Sequence, residues 1–229
     1  MNKLLIEKDS IIDIKDKEYD IEIINNCHLK LNVLNSSEIK ILIKSNVKIE
    51  IVLEENINLL INQLGINSSI DYIITLKEKS KINVIDSIIS SVDSINNIKI
   101  IHKGNNSETK FYTNGINISN NKMYYYLDGI INKDIKGVFL VENSKIINYQ
   151  NGDSKIIPNL IVDTKEVNAN HSAFIGTLNK DDISYLMSRG ISKKDANNLL
   201  LKSILLSKMS LNTDIFIKEI LNILKGEIK

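Results

Sequence analysis

Three histidines, one cysteine and one arginine are the side chains of this 229-residue chain that stand out for metal or nucleophilic chemistry. Cys27 and His28 adjoin. Neighbouring side chains of a strand leave opposite faces, so these two do not chelate one ion, and a small buried thiol beside a surface histidine is the expectation. His102, in "IIHKGNN", stands at a strand end with no carboxylate or thiol nearby in sequence and reads as a solvated corner. "KGNNSE" lacks the spacing and the Lys-Ser/Thr pair of a phosphate-binding loop, so nucleotide hydrolysis is not expected of this chain. No Ser-His-Asp order rises above chance in a chain so rich in serine and aspartate. His171, in "NANHSAFIG", reads by itself as a hydrogen-bonded structural histidine.

The stretch around His171 differs from the rest. Most of the chain is built from Ile, Asn, Lys, Ser, Asp, Glu and Leu, a bias that A/T-rich codons explain. Against it, Pro158, Ala169, Ala173, Arg189 and Ala196 fall within about forty positions, and they include the only proline, the only arginine and all three alanines.

Ahead of that stretch, from about residue 19 to 150, apolar and polar residues alternate in short segments such as "HLKLNVL", "EIKILI" and "VKIEIVL". Period-two alternation rich in Ile and Val is the mark of half-buried strands. The first five segments begin at residues 19, 28, 38, 47 and 57, and the breaks are Asn, Ser or Glu-Asn pairs instead of Asn-Gly hairpin signals. An antiparallel sandwich or a β-solenoid would both give such a series. The sustained spacing, the asparagine corners that tolerate left-handed backbone and the scarcity of Gly and Pro favour the solenoid. "KMYYYLD" is one of these strands, so Tyr124, Tyr125 and Tyr126 alternate between core and sheet surface.

After residue 178 the period becomes helical. Asn179 is placed to cap a helix with Asp181 and Asp182 in its first turn, Ile183, Leu186 and Met187 on its apolar side and Gly190 to stop it. Ser192 with Asp195 resembles a capping box opening a second helix, with Ala196, Leu199, Leu200, Ile204 and Leu205 inward. A third run, Thr213 to Lys225, repeats Phe216, Ile220, Leu221 and Leu224 before Gly226. The expectation is a mainly β chain with a helical C-terminus: a β-domain over residues 1–177 and a small α-helical domain over 178–229.

The order of "GDSKIIPNLIVDTKEVNANHSAFIGTLNKDDISYLMSRGISKKDANNLLL" resembles the C-terminal signature of the SufB/SufD family, scaffold proteins of the SUF iron-sulfur cluster assembly system. The matching elements are Pro158 with Leu160, His171-Ser172-Ala173 with Gly176, Tyr185-Leu186, Ser188-Arg189-Gly190-Ile191, and Ala196. The resemblance spans residues 151 to 206. It implies a right-handed parallel β-helix (solenoid) followed by a small α-helical domain, in agreement with the periodicity. It also implies a non-enzymatic scaffold: ATP hydrolysis belongs to a SufC-like ABC ATPase that docks on the helical domain. Tyr185, Ser188, Arg189 and Gly190 are the residues it points to for that docking. Tyr185 and Arg189, four apart, share a helix face, and a cation near a helix C-terminus is also favoured by the dipole alone.

By the same resemblance, His171 is a candidate ligand of an iron-sulfur cluster bound transiently at an interface with a SufB-like subunit or with a second copy of the chain. SufB-like members carry Glu after this histidine; Ser172 stands here, so the chain resembles SufD more than SufB. The cysteine that SufB-like scaffolds use near the end of the β-helix has no counterpart around residues 150–160. Larger members have an additional N-terminal helical region, for which strand-like sequence by residue 19 leaves no room.

A balance of 29 Lys plus Arg against 28 Asp plus Glu provides no global field for nucleic acid or an anionic membrane. A single cysteine excludes an intramolecular disulfide, no signal peptide is recognised, and the apolar runs fall far short of the roughly 20 residues that span a bilayer. The expected location is cytoplasmic. Two other readings remain: a SufB/SufD homologue with a structural or regulatory role and no cluster, and, more distantly, a β-helical carbohydrate-active protein.

Overall fold

The computed structural model describes residues 2–210 and 214–227. Among the described residues, fifteen strands come first: β1 (Asn2–Ile6), β2 (Ser10–Ile14), β3 (Glu18–Ile23), β4 (Cys27–Val33), β5 (Ser37–Ile43), β6 (Val47–Leu53), β7 (Asn58–Ile66) and β8 (Ile70–Leu76). They continue with β9 (Lys81–Ser90), β10 (Ser94–His102), β11 (Glu108–Asn117), β12 (Lys122–Ile131), β13 (Val138–Asn148), β14 (Asp153–Val162) and β15 (Val167–Gly176). Three helices follow, α1 (Lys180–Ser188), α2 (Lys193–Leu205) and α3 (Asp214–Glu227).

Odd-numbered strands form one sheet in the order β1-β3-β5-β7-β9-β11-β13-β15, and even-numbered strands form a second, from β2 to β14. Every neighbouring pair is parallel, so the chain winds as a β-solenoid with one strand per sheet in each coil. The alternation of the sequence is the alternation of burial: Leu29, Leu31 and Val33 of β4 face inward while His28, Lys30 and Asn32 face out. Stacked columns such as Ile39, Ile61, Val84 and Phe111 fill the space between the sheets.

The number of residues per coil is not constant. One turn takes 17 residues at the start, from Asn2 to Tyr19, and 31 from Glu108 to Phe139, so the solenoid widens toward its C-terminal end. β1 and β2 precede the series that the alternation marked out.

Asparagine does the corner work in two ways. Asn56, Asn67 and Asn106 take positive φ, at 59°, 48° and 55°, a region their short polar side chains tolerate. At other corners the side chain satisfies the backbone of the next coil: Asn26 Oδ1 accepts from the Asn46 N–H at 3.0 Å, and Asn46 Oδ1 from the Ser69 N–H at 2.8 Å. Polar backbone groups outside the ladders are thereby paired without hairpin turns.

The helices lie along the outer face of the odd-numbered sheet. Leu201 and Leu205 of α2 and Phe216, Ile220 and Leu224 of α3 bury against Leu42, Leu64, Ile89, Ile116 and Ile147, a second core. Each such side chain contributes about 1.5–3 kcal/mol. Ala196, Leu201 and Leu205 form the buried line of α2; Leu199, expected inward, is exposed, and Leu200 and Ile204 are half-buried. Leu221 is likewise at the edge of the α3 contact. The third helix runs through Gly226 to Glu227, and Thr213, its expected start, lies outside the described residues.

The interior is not uniformly apolar. Gln63, Asp86 and Thr113 are register neighbours on β7, β9 and β11 and all face inward. Gln63 Nε2 donates to Asp86 Oδ1 at 2.5 Å and the Tyr72 hydroxyl donates to Gln63 Oε1. Burial pushes the Asp86 carboxyl up to about 7, partly offset by the Tyr125 hydroxyl and the Gln63 amide.

His102 corrects an expectation. It is fully buried, with Nδ1 2.7 Å from Ser107 Oγ and Nε2 3.1 Å from Thr109 Oγ1. Desolvation lowers its pKa to about 4, so it is a neutral, fully partnered core residue and not a solvated corner.

Candidate functional site

The wide end of the solenoid terminates in β14 and β15, each paired on one side only. His171 occupies the middle of β15. Val167 and Ala169 pack against the core, so by alternation His171, Ala173 and Ile175 share their inward face. His171 is nevertheless exposed, because β15 is the outermost strand of its sheet.

The register partner of His171 is Glu142 on β13. Glu142 faces inward, is 1% exposed, and neither carboxyl oxygen has a hydrogen-bond partner among the described residues. Burial, with the charge of Asp128 adding to it, pushes its carboxyl up to about 7. Across the interior, Gly129 of β12 makes room for it: a Cβ there would stand 3.1 Å from Glu142 Oε1 and 2.6 Å from Leu140 Cδ2. Sequence reasoning missed this residue. Its spacing of 29 positions before His171 is one turn of the last coil, a signal that has meaning only once the number of residues in that coil is known.

Ser172 points to the other face and its hydroxyl donates to Asn143 Oδ1 at 2.5 Å. The acidic group nearest His171 in register therefore comes from the preceding coil and not from the following residue. Cys27 and His28 do separate to opposite faces: the thiol packs on the core, where burial pushes its pKa up, and His28 Nε2 lies 3.2 Å from Glu50 Oε1. Cys27 is in the second coil, far along the stack from β15. Among the described residues, no group of three or more His, Cys, Asp or Glu is arranged to hold a metal ion.

The second candidate group sits at the end of α1. Asn179 caps the helix by accepting from the Asp181 N–H at 2.9 Å, with Asp181 and Asp182 in the first turn. At the other end Gly190 takes φ 86°, the Gly190 N–H reaches the Met187 carbonyl at 3.0 Å and the Ile191 N–H reaches Leu186 at 3.2 Å, the paired bonds of a Schellman stop. The Arg189 guanidinium lies over the Tyr185 ring at 5.3 Å, and the Ser188 hydroxyl donates to the Tyr185 carbonyl at 2.7 Å. Tyr185, Ser188, Arg189 and Gly190 thus form one exposed turn, and no residue of α1 is buried. No described hydrogen bond, ion pair or ring contact joins this turn to His171. Ser192 caps α2 by accepting from the Asp195 N–H at 3.1 Å, while its own hydroxyl donates to the Asp195 carboxylate. Among the described residues, no helix is long and apolar enough to cross a membrane.

Residues 140–204 match the family model described as SUF system FeS cluster assembly, SufBD core domain. None of the curated proteins compared with the chain matches it. The matched segment holds most of β13, both terminal strands, α1 and nearly all of α2, and so contains Glu142, His171 and the Tyr185–Gly190 turn. Over this segment, on the motif order that its own sequence displays, the chain is similar to the core domain of the SufB/SufD proteins of the SUF iron-sulfur cluster assembly system.

Proposed function

We propose that the chain is a SufD-like scaffold subunit that handles the nascent iron-sulfur cluster as cargo. It pairs through the wide end of its solenoid with a SufB-like subunit or a second copy of itself, and works with a SufC-like ABC ATPase in the cytoplasm. The observation that carries this reading is the position of His171 on an outermost strand with an unpaired edge. An open edge is ordinarily covered, and here it is flanked by exposed Ile157, Ile161, Val162, Phe174 and Ile175, an apolar surface that fits a partner chain. Ligands beyond His171 are then supplied across the interface. The turn of Tyr185, Ser188, Arg189 and Gly190 is the proposed ATPase contact, supported by a helix that leaves all its side chains accessible.

Co-expression with a SufC-like ATPase and a SufB-like chain, followed by anaerobic iron and sulfide reconstitution, tests this. The expected result is a stable complex whose cluster occupancy falls in His171→Ala. A chain that stays monomeric and captures neither partner overturns the reading.

A second reading, a structural or regulatory subunit without cluster contact, is favoured by the Ser172 hydroxyl being committed to Asn143 and by the distance along the solenoid between Cys27 and the open end. Its signature is a complex that forms normally and loads clusters equally well with His171→Ala.

A further inference from the structure

We infer that Glu142 and His171 together make a two-donor site for one divalent transition-metal ion of the ferrous class at the wide end of the solenoid, completed when the buried Glu142 carboxylate turns toward the exposed His171 imidazole. This rests on the proposed role of His171 but adds a ligand from the same chain.

Three features carry it. First, the two residues are register partners on adjacent parallel strands and leave the same face. Adjacent strands stand about 4.8 Å apart, and two donors on one ion lie about 3 Å from each other, so side chains in this register are within reach of one centre. Second, Glu142 is sealed from solvent with both oxygens unpartnered, and it forms no ion pair with any described residue. A buried carboxyl without a partner destabilises the fold, so the position is not explained by stability. Third, the surroundings are small. Ala169 and Ala173 flank His171 on the inward face, in register with Leu140 and Ser144 on either side of Glu142, and Gly129 faces the carboxyl from the opposite sheet. Two of the three alanines of the chain thus stand on either side of His171 on the face it shares with Glu142. A carboxylate and a neutral imidazole suit Fe(II) and its neighbours, and two donors leave coordination positions free for water, sulfide or ligands of a partner.

The test uses the intact chain alone, under argon, titrated with Co(II) as a spectroscopic probe and with Fe(II), for wild type, His171→Ala, Glu142→Gln and Ala169→Leu. Thermal unfolding confirms that each variant is folded. The expected result is one equivalent bound by wild type, with binding weakened roughly tenfold or more in His171→Ala and in Glu142→Gln, as for loss of a donor. Weakening in Ala169→Leu, which keeps both donors, supports access from the open end. Absence of binding by wild type, or binding unchanged in Glu142→Gln, overturns the inference. The proposed scaffold function fails separately: it falls if the reconstituted complex never forms, whereas a complex that loads clusters through His171 with Glu142→Gln fully competent leaves it standing and removes only the two-donor site.

Discussion

The hydroxyl of Ser87, on β9, donates to the backbone carbonyl of Leu205, the last residue of α2, at 2.6 Å across 118 positions of sequence. The sheet thereby satisfies one of the carbonyls that a helix end leaves unpaired. Around it, Asn114 Nδ2 reaches the Ser207 carbonyl at 3.4 Å and Lys208 lies over Tyr112 at 3.9 Å. The helices are thus fastened to the solenoid by polar bonds as well as by apolar contact. Ser87→Ala is expected to cost about 1–2 kcal/mol, since it strands a buried carbonyl. Phe216→Ala, which empties the centre of the sheet–helix core, is expected to cost about 3–5 kcal/mol. Urea unfolding measures both, and limited proteolysis is expected to cut first in α3 of the second variant.

Asp86 makes stability depend on pH with a definite sign. Burial raises its carboxyl from an ordinary 3.8 to about 7 in the fold, so between those values the folded chain holds the proton that the unfolded chain releases. Stability therefore falls as pH rises from about 4 to 7, by at most about 1.4 kcal/mol per unit for this group. Glu142 contributes with the same sign, and His102, lowered to about 4, with the opposite sign below pH 6.5. The difference between wild type and Asp86→Asn isolates the one group: the variant is expected to gain on wild type between pH 5 and pH 8. Parallel urea curves at the two pH values would refute this.

Gly104 is held against the neighbouring corner. A Cβ there would meet the Glu78 backbone nitrogen at 2.0 Å and the Lys77 carbonyl carbon at 2.3 Å, atoms that do not move aside as a side-chain tip does. Its carbonyl also accepts from Ser107, which holds His102. Gly104→Ala is expected to destabilise by about 3 kcal/mol, read as a lower urea midpoint.

Gly190 has open space around its Cα but a φ of 86°. Gly190→Ala is therefore a backbone effect without a clash, expected to cost about 1 kcal/mol and to act on the end of α1. Faster amide exchange at Ile191, with protection in β9 and β11 unchanged, is the expected pattern.

The strands were legible because their signal is local. A side chain's face follows from its parity along a strand, so "HLKLNVL" shows Leu29, Leu31 and Val33 as core with no knowledge of what covers them. The helix caps were legible for the same reason: Asn179, Gly190 and Ser192 act on backbone within four residues. The buried face of α2 was less so, because Leu199, Leu200 and Leu201 offer apolar residues on several sides and only the sheet beneath selects Leu201.

The candidate site divides in the same way. His171 and the Tyr185–Gly190 turn were readable from residue type and motif order. Glu142 beside His171, His102 between Ser107 and Thr109, and Asp86 against Gln63 were not. Such contacts pass between coils or across a corner, and the number of residues per turn changes from 17 to 31 along the solenoid. Sequence alone determined the elements, the corners and the residues with chemical capacity, since these depend on near neighbours. Tertiary structure decided which of those residues meet, because the number of residues in each coil, which changes along the stack, sets every long-range register and is fixed only when the coils stack.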